Sequence, residues 1–369
     1  MVKRLGCVIC DGKLNNQFTV KMPIFMGVNR DDRNNIIQDM NFMKCSECGE
    51  IQIEELINLS ELYYENHNIG IIGETWENHY NEFSKFISEK IINKTILEIS
   101  DPSAKIAKKS KNFNHWYIVE PNPDFTGNDN ITFIKDFFDN TFDKINNVDI
   151  IIHSHLLEHI HKPNDFLKKC YEILKDDGSM FISIPNMKFL LMNGFSPNNI
   201  LHFEHTFYLD TEVLSILLNK NGFKIINEIE FNNHSVFYEI KKDKKENIKF
   251  ESTISDIFTE NLTENLNKIQ KINDVIIDLL KNDDYNVHIF GSHVMTQFYL
   301  YNGLNVSINN VLDNSKNKIG FKLYGTNLMV SSPEIIKEGK HIVICSHTGV
   351  YYNEIIKQLK NINNSVFFI

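Results

Sequence analysis

The 369-residue sequence predicts an α/β chain built on a doubly wound parallel sheet, with a small cysteine-bearing module before it and a smaller α/β unit behind it. Three observations carry this. Strand-like runs alternate with helical stretches from residue 95 to about 185, the alternation resumes at Tyr285, and two C-x2-C pairs stand near the amino end. Strands separated by helices imply right-handed crossovers and parallel pairing. A chain this long exceeds one comfortable core, so four segments are expected: 1–56, 57–245, 246–284 and 285–369.

Cys7-Val-Ile-Cys10 and Cys45-Ser-Glu-Cys48 each place two thiols on a tight turn. Four thiolates so paired suit one Zn²⁺, with no coordination position left open, so the ion is expected to be structural. Residues 56–92 then read as helices. In them Trp76, Tyr80, Phe83 and Phe86 recur at spacings of three and four, a stripe expected to be mostly core. The parallel strands follow as TILEIS, HWYIVE, ITFIK, VDIIIHSH and SMFISIP, with helices through Ala104–Lys111, from Asp136, and through Pro163–Leu174. After a helix over Thr211–Asn221, FKIINEIEF and HSVFYEI read as an antiparallel pair closing the sheet. Lys241–Lys249 (KKDKKENIK) reads as a solvated linker, residues 250–282 as a helical connector, and YNVHIF, VSINNVLD, HIVICSH and SVFFI as strands of the last unit.

Net charge is −10, and the basic residues are scattered among acids, which argues against a nucleic-acid partner. No window approaches 18 apolar residues and MVKRLGCVIC lacks an apolar leader core, so no membrane partner and a cytoplasmic location are expected. A reducing compartment favours zinc over disulfides at the paired cysteines, and Cys170 and Cys345 read as reduced core residues. The sequence sets no oligomeric state.

In an open parallel sheet the ligand lies beyond the carboxyl ends of the strands, where the strand order reverses. The first strand ends at Glu98 and runs into Ser100-Asp101-Pro102-Ser103-Ala104. The second ends at Glu120, a carboxylate placed to accept ribose hydroxyls. Beyond the third, Asp136 offers an acceptor for an exocyclic amine beside the aromatic wall of Phe137; the fourth runs into His153-Ser154-His155 and LLEHIHKP.

This series, followed by ILKDDGSMFISIPN, resembles the class I S-adenosylmethionine methyltransferases. With the four cysteines, the stretch LHFEHTFYLD (Leu201–Asp210), and a last unit carrying FGSH and LDNSKNKIGFKLYGT, the whole chain resembles the sugar C-methyltransferases acting on nucleotide-linked keto-sugars. The resemblance implies a class I methyltransferase sheet between a zinc module and a Rossmann-like unit. It implies S-adenosylmethionine held by Glu98, Ser100, Glu120, Asp136, Phe137 and His155, the ribose on Glu120 and the methionine end near Ser100 and His155. The family's loop is glycine-rich, whereas here Ser100 and Ala104 take the small positions and Pro102 adds a fixed φ. The family's Glu-His pair maps to Glu204 and His205, with His202 in place of a tyrosine. His205 is then the expected general base, removing the proton beside a keto group, with Glu204 orienting it. His153, His155 and His159 read as structural, with no second metal, since no carboxylate spacing completes a set. Gly291-Ser292-His293, Asp313, Lys318 and Lys322 are candidates for holding the nucleotide-sugar. O- or N-methylation of a related sugar is the alternative within enzymes, and a non-catalytic scaffold with a degenerate loop the alternative outside them.

Overall fold

The computed structural model describes residues 2–30, 34–62, 74–193, 200–244, 254–346 and 352–369. The amino-terminal strands are β1 (Val2–Lys3), β2 (Leu14–Pro23), β3 (Val28–Asn29), β4 (Ile37–Cys45), β5 (Ile51–Ile53) and β6 (Glu55–Leu56). β2, β4 and β5 form one antiparallel sheet, and β1 pairs with β6. Alternation along β2 and β4 buries Val20, Met22, Met40 and Phe42. This apolar face continues through Phe258 and Leu262 of the helix Ile254–Leu280 into Ile289 and Phe298, so the module and the carboxyl-terminal unit share one core.

The central domain contains β7 (Thr95–Ile99), β8 (His115–Val119), β9 (Ile131–Ile134), β10 (Val148–Ser154), β11 (Leu174–Pro185), β12 (Phe223–Phe231) and β13 (Ser235–Lys242), in the order β12-β13-β11-β10-β7-β8-β9. The first strand is central, and the last is inserted between β11 and β12, antiparallel to both. The other pairings are parallel. This is the class I methyltransferase sheet that the resemblance implies. Its central strands are near-continuous apolar runs because both faces are covered. Tyr80, Phe83 and Ile87 of the helix Glu74–Ile87 pack on Ile96, Ile118 and Ile150. On the opposite face, the helices Pro163–Ile173 and Thr211–Lys220 pack on Leu97, Ile151 and Ile182. The first of these helices begins with proline, and the Asp210 carboxylate caps the second by accepting from Val213 N at 2.8 Å.

The helix expected from Asp136 is absent. Residues 136–147 are irregular, and the reason is local: Asp139 accepts from both the backbone and the hydroxyl of Thr141 (2.8 and 2.6 Å), an Asx turn that competes with a helical turn. Before the sheet, the described helices are Leu59–Leu62 and Glu74–Ile87; the rest of the expected helical lead-in, at 63–73, residues 245–249 of the expected linker and residues 250–253 of the expected connector lie outside the described residues. Lys241 and Lys242, expected in the linker, instead end β13, where they pair with Ser179 and Phe223.

The last unit is a parallel five-stranded sheet of β14 (Asn286–Phe290), β15 (Asn310–Leu312), β17 (Val330–Ser331), β18 (His341–Cys345) and β19 (Phe367–Phe368), ordered β17-β15-β14-β18-β19. β16 (Lys322–Leu323) leaves it to pair with β3, which ties the first and last units together. Among the described residues no helix is long and apolar enough to cross a membrane.

Candidate functional site

The carboxyl ends of β7, β8 and β10, where the strand order reverses, open into a cavity of about 1310 Å³. Every residue expected to hold the cofactor or do the chemistry lines it: Glu98, Ser100, Glu120, Asp136, Phe137 and His155 along the strand ends, and His202, Glu204 and His205 opposite. The amino-terminal module adds Phe25–Arg30, and the last unit adds Ser292, His293 and Lys318. Asp313 stands behind this wall, where it binds Ser292, and Lys322 sits in the β16–β3 pairing.

The loop after β7 answers for its missing glycines. Ser100 (φ 66°) and Ala104 (φ 55°) both adopt the left-handed conformation that glycine normally supplies. Asp101 holds the turn, its carboxylate accepting from Ser103 N (3.1 Å), Lys105 N (2.5 Å) and Ile106 N (3.3 Å) and so capping the helix Lys105–Lys109. Two non-glycine residues thus supply the left-handed positions of this turn. Glu98 is buried and accepts from Trp116 Nε1 at 2.7 Å; burial and then Asp101 push its carboxyl well above the usual range. Glu120 accepts from Asn122 N at 2.9 Å, and burial raises its pKa as well. Asp136 sits at the rim in an ion pair with Lys144 (2.7 Å), and Phe137 is 52% exposed.

Trp76 and Tyr80 belong to this wall too. The stripe is mostly core, as expected, with Tyr80 and Phe83 buried and Trp76 and Phe86 packed against them, but Trp76 and Tyr80 also border the cleft. Trp76 lies edge-on to both His155 and His234, each at a centroid distance of 4.8 Å. His155 has φ 48° and hydrogen-bonds Ser235 Oγ through Nε2 at 2.8 Å. Burial, then His234 and His205, hold its pKa well below the ordinary value. An amphipathic period gave no sign that part of the stripe meets a cavity.

The loop bearing Glu204 and His205 is fixed by backbone contacts. Ile53 N donates to Thr206 O (3.1 Å) and Tyr208 N to Ile51 O (3.1 Å), so this segment extends the edge of β5. Thr206 N also donates to Glu158 O at 2.8 Å. The Arg4 guanidinium donates to the Thr206 carbonyl, to its hydroxyl (2.9 Å) and to the His161 carbonyl (3.2 Å). The result is a compact imidazole group in which His205 lies 4.2 Å from His202 and 4.7 Å from His159 between ring centroids. Glu158, His159 and His205 bring a ligand atom each within 4.8 Å of one another. Sequence spacing could not show this set, because its third member arrives from a distant loop. Burial pushes the Glu158 carboxyl up to about 7, with His205 opposing, and burial pushes Glu204 up to about 7 as well.

The four paired cysteines form a second set, with ligand atoms within 4.8 Å of one another. All are free thiols, Cys7 Sγ lying 3.6 Å from Cys48 Sγ and Cys10 Sγ 3.5 Å from Cys45 Sγ. Those separations are far longer than a disulfide and close to what Zn–S bonds of about 2.3 Å require. Backbone N–H groups of Ile9 and Glu47 point at Cys7 and Cys45 sulfurs (3.4 Å each), and a Cβ on Gly12 would stand 2.8 Å from Cys45 Sγ. The donor set fits zinc.

Residues 78–228 match the family model described as a methyltransferase domain, a span from inside the helix Glu74–Ile87 to within β12. Residues 78–228 of the chain carry a methyltransferase domain. Among solved structures it is similar to the mitomycin 7-O-methyltransferase MmcR, at 11% identity and a TM-score of 0.37 over 45% of this chain; it spans only 53% of that one. It is also similar to the N-methyltransferase NodS of Bradyrhizobium japonicum in complex with S-adenosyl-L-homocysteine (10% identity, TM-score 0.38, 49% of this chain and 95% of that one). A third is the 1,6-didemethyltoxoflavin-N1-methyltransferase of Burkholderia thailandensis (10%, 0.40, 59% of this chain and all of that one). Such likenesses assign no substrate. No curated protein sequence matches the chain.

Proposed function

We propose that the enzyme methylates a nucleotide-linked keto-sugar at carbon, with a structural Zn²⁺ on Cys7, Cys10, Cys45 and Cys48. The observation that supports this reading is the single cleft in which strand-end carboxylates, a buried imidazole cluster and the Ser292–Lys318 wall of the last unit face one another. S-adenosylmethionine, when bound, supplies an electrophilic methyl group. Glu120 holds its ribose, Phe137 and Asp136 its adenine, and Trp76 and His155 close the methionine end. Lys318, which donates to Ser292 O at 3.2 Å and borders the cleft, supplies positive charge for a diphosphate. A keto group acidifies the neighbouring C–H, and a neutral imidazole of the His202–His205 pair, His205 in the first instance, removes that proton. Burial keeps His202 neutral, its pKa well below the ordinary value with His205 and His159 adding to the effect. Glu204, Trp76 and the aromatic wall restrict water around the carbanion.

Titration with S-adenosylmethionine, followed by turnover of His205→Asn and His202→Phe on one keto-sugar substrate, tests the reading. Loss of a general base is expected to lower turnover by about 10²–10⁴-fold while cofactor affinity stays near wild type. Full turnover in both variants would remove the base from this pair, and a methyl ether or methylamine product would replace C-methylation.

A further inference from the structure

We infer that Glu158, His159 and His205 form a second metal site, for a divalent first-row transition ion, with its open coordination positions facing the cleft. The inference rests on the same cleft as the methyltransferase reading but not on the identity of the sugar.

Four observations converge. The chemistry is that of a two-histidine, one-carboxylate set, the combination that holds borderline divalent ions while leaving positions open. The three ligand atoms already lie within 4.8 Å of one another, a spread that side-chain rotation closes onto bonds of about 2.0–2.2 Å. Glu158 is 3% exposed, and among the described residues neither carboxylate oxygen has a hydrogen-bond partner. His155 Nδ1 lies 3.5 Å from its Oε1. A buried carboxylate without a partner is costly, and a cation between it and two imidazoles removes that cost. Finally, the set is rigidly supported. Thr206 N and Oγ1 both donate to Glu158 O (2.8 and 3.3 Å) and the hydroxyl reaches Ile160 O (3.2 Å), so backbone bonds join the 158–160 turn to the His205 loop. Arg4 fastens the same junction from outside.

His159 and His205 line the cleft whereas Glu158 stands behind them, so the ion's free positions point to where substrate oxygens would sit. There a divalent cation acts as a Lewis acid: when the C–H beside a carbonyl gives up its proton, the electron pair moves onto the carbonyl oxygen, and the cation stabilises that charge. As a metal ligand His205 does not serve as the base named above, and the proton goes instead to His202, whose ring centroid lies 4.2 Å from it.

The test counts metal. The full chain, stripped of loosely held ions and dialysed against micromolar Zn²⁺, is expected to retain two equivalents, one for the four cysteines and one for this site. Glu158→Gln with His159→Asn is expected to retain one. Co²⁺ added to the zinc-loaded chain is expected to give d–d absorption without the thiolate charge-transfer bands of a cysteine site, and to lose it in the double variant. His159→Asn alone, at a half-buried position, guards against a folding failure. It is expected to weaken the second equivalent by more than the roughly 10–100-fold that removing a supporting hydrogen bond costs. A single equivalent in the wild type, or an unchanged second equivalent in either variant, overturns the site. S-adenosylmethionine titrated into the same samples separates the two readings: cofactor binding without a second equivalent sinks the metal site alone, and a second equivalent without cofactor binding sinks the methyltransferase reading alone.

Discussion

The two parallel sheets of this chain begin alike: each first strand ends in a residue at positive φ, Ser100 (66°) after β7 and Gly291 (101°) after β14, and each second strand runs into an acid, Glu120 after β8 and Asp313 after β15. They spend those acids differently. Asp313 accepts from Ser292 N (2.9 Å), Ser292 Oγ (2.5 Å) and Ser315 N (2.8 Å), with Lys318 at 3.5 Å. Burial pushes its carboxyl up, but these donors together outweigh burial and hold it below its ordinary value. Glu120 has one backbone donor, Asn122, and burial prevails. The glycines divide the same way. His293 folds back over Gly291, where a Cβ would meet Nε2 at 2.2 Å, so that turn is closed by its own side chain, whereas Ser100 lines the cleft. One topological position can be saturated from within, and then it holds a loop; with fewer donors and beside a cavity, it is open to a ligand.

The comparison is most sharply tested by exchanging its predicted losses. Glu120→Ala is expected to weaken S-adenosylmethionine binding about 10–100-fold in calorimetric titration, the worth of one or two charge-assisted hydrogen bonds, with little change in stability. Asp313→Ala is expected to do the reverse, lowering stability by about 2–3 kcal/mol in urea unfolding while cofactor affinity holds. Equal affinity losses would abolish the distinction.

Acid unfolding probes the same contrast through buried imidazoles. Burial lowers His153 in the central sheet to about 3, while His288 in the last unit, which hydrogen-bonds His341 at 3.0 Å, is lowered by burial and then His341 to about 4. Both folded values lie below the ordinary 6.5, so on acidification the unfolded chain takes these protons first. Stability present above about pH 6.5 is therefore lost as pH falls, by about 1.4 kcal/mol per pH unit for each such group, until its folded pKa is reached. Replacing His153 with Gln should flatten the slope between pH 6 and 4 in denaturant titrations; an unchanged slope would mean that this imidazole does not contribute.

The smallest effect belongs to the turn itself. Ser100→Gly is expected to leave stability within about 1 kcal/mol of wild type, relief of left-handed strain being offset by greater freedom of the unfolded chain, and to leave cofactor affinity alone. Ser100→Val, β-branched at positive φ, should cost more than that; if it is as stable as Ser100→Gly in thermal unfolding, the turn is not strained.

What could be read in the sequence was what repeats locally. The strands carry their own apolar runs, the cysteine pairs their own spacing, and the strand-end acids follow once the strands are placed. The rest depends on contacts between distant segments. Glu158 and His159 belong to a motif whose proposed metal-binding partner, His205, comes from the separate loop before the helix Thr211–Lys220, so no spacing rule reaches it. Trp76 obeys the helical period of a core residue, yet lies where the helix passes the cavity. Asp136 reads as a helix start, and the Asx turn at Asp139 overrides it three residues later.

The fastening of Thr206 by Arg4 has a consequence in time. The two residues are 202 positions apart. At a synthesis rate of about 5–20 residues per second, Arg4 leaves the ribosome roughly 10–40 s before the loop it must clamp. The strands up to β11 emerge in that interval, but the segment carrying Glu204 and His205 cannot lock until its guanidinium partner has waited through much of the central domain. The loop carrying the proposed base is thus fixed by a contact that closes 202 residues of chain, and a nascent chain stalled before residue 206 would lack it.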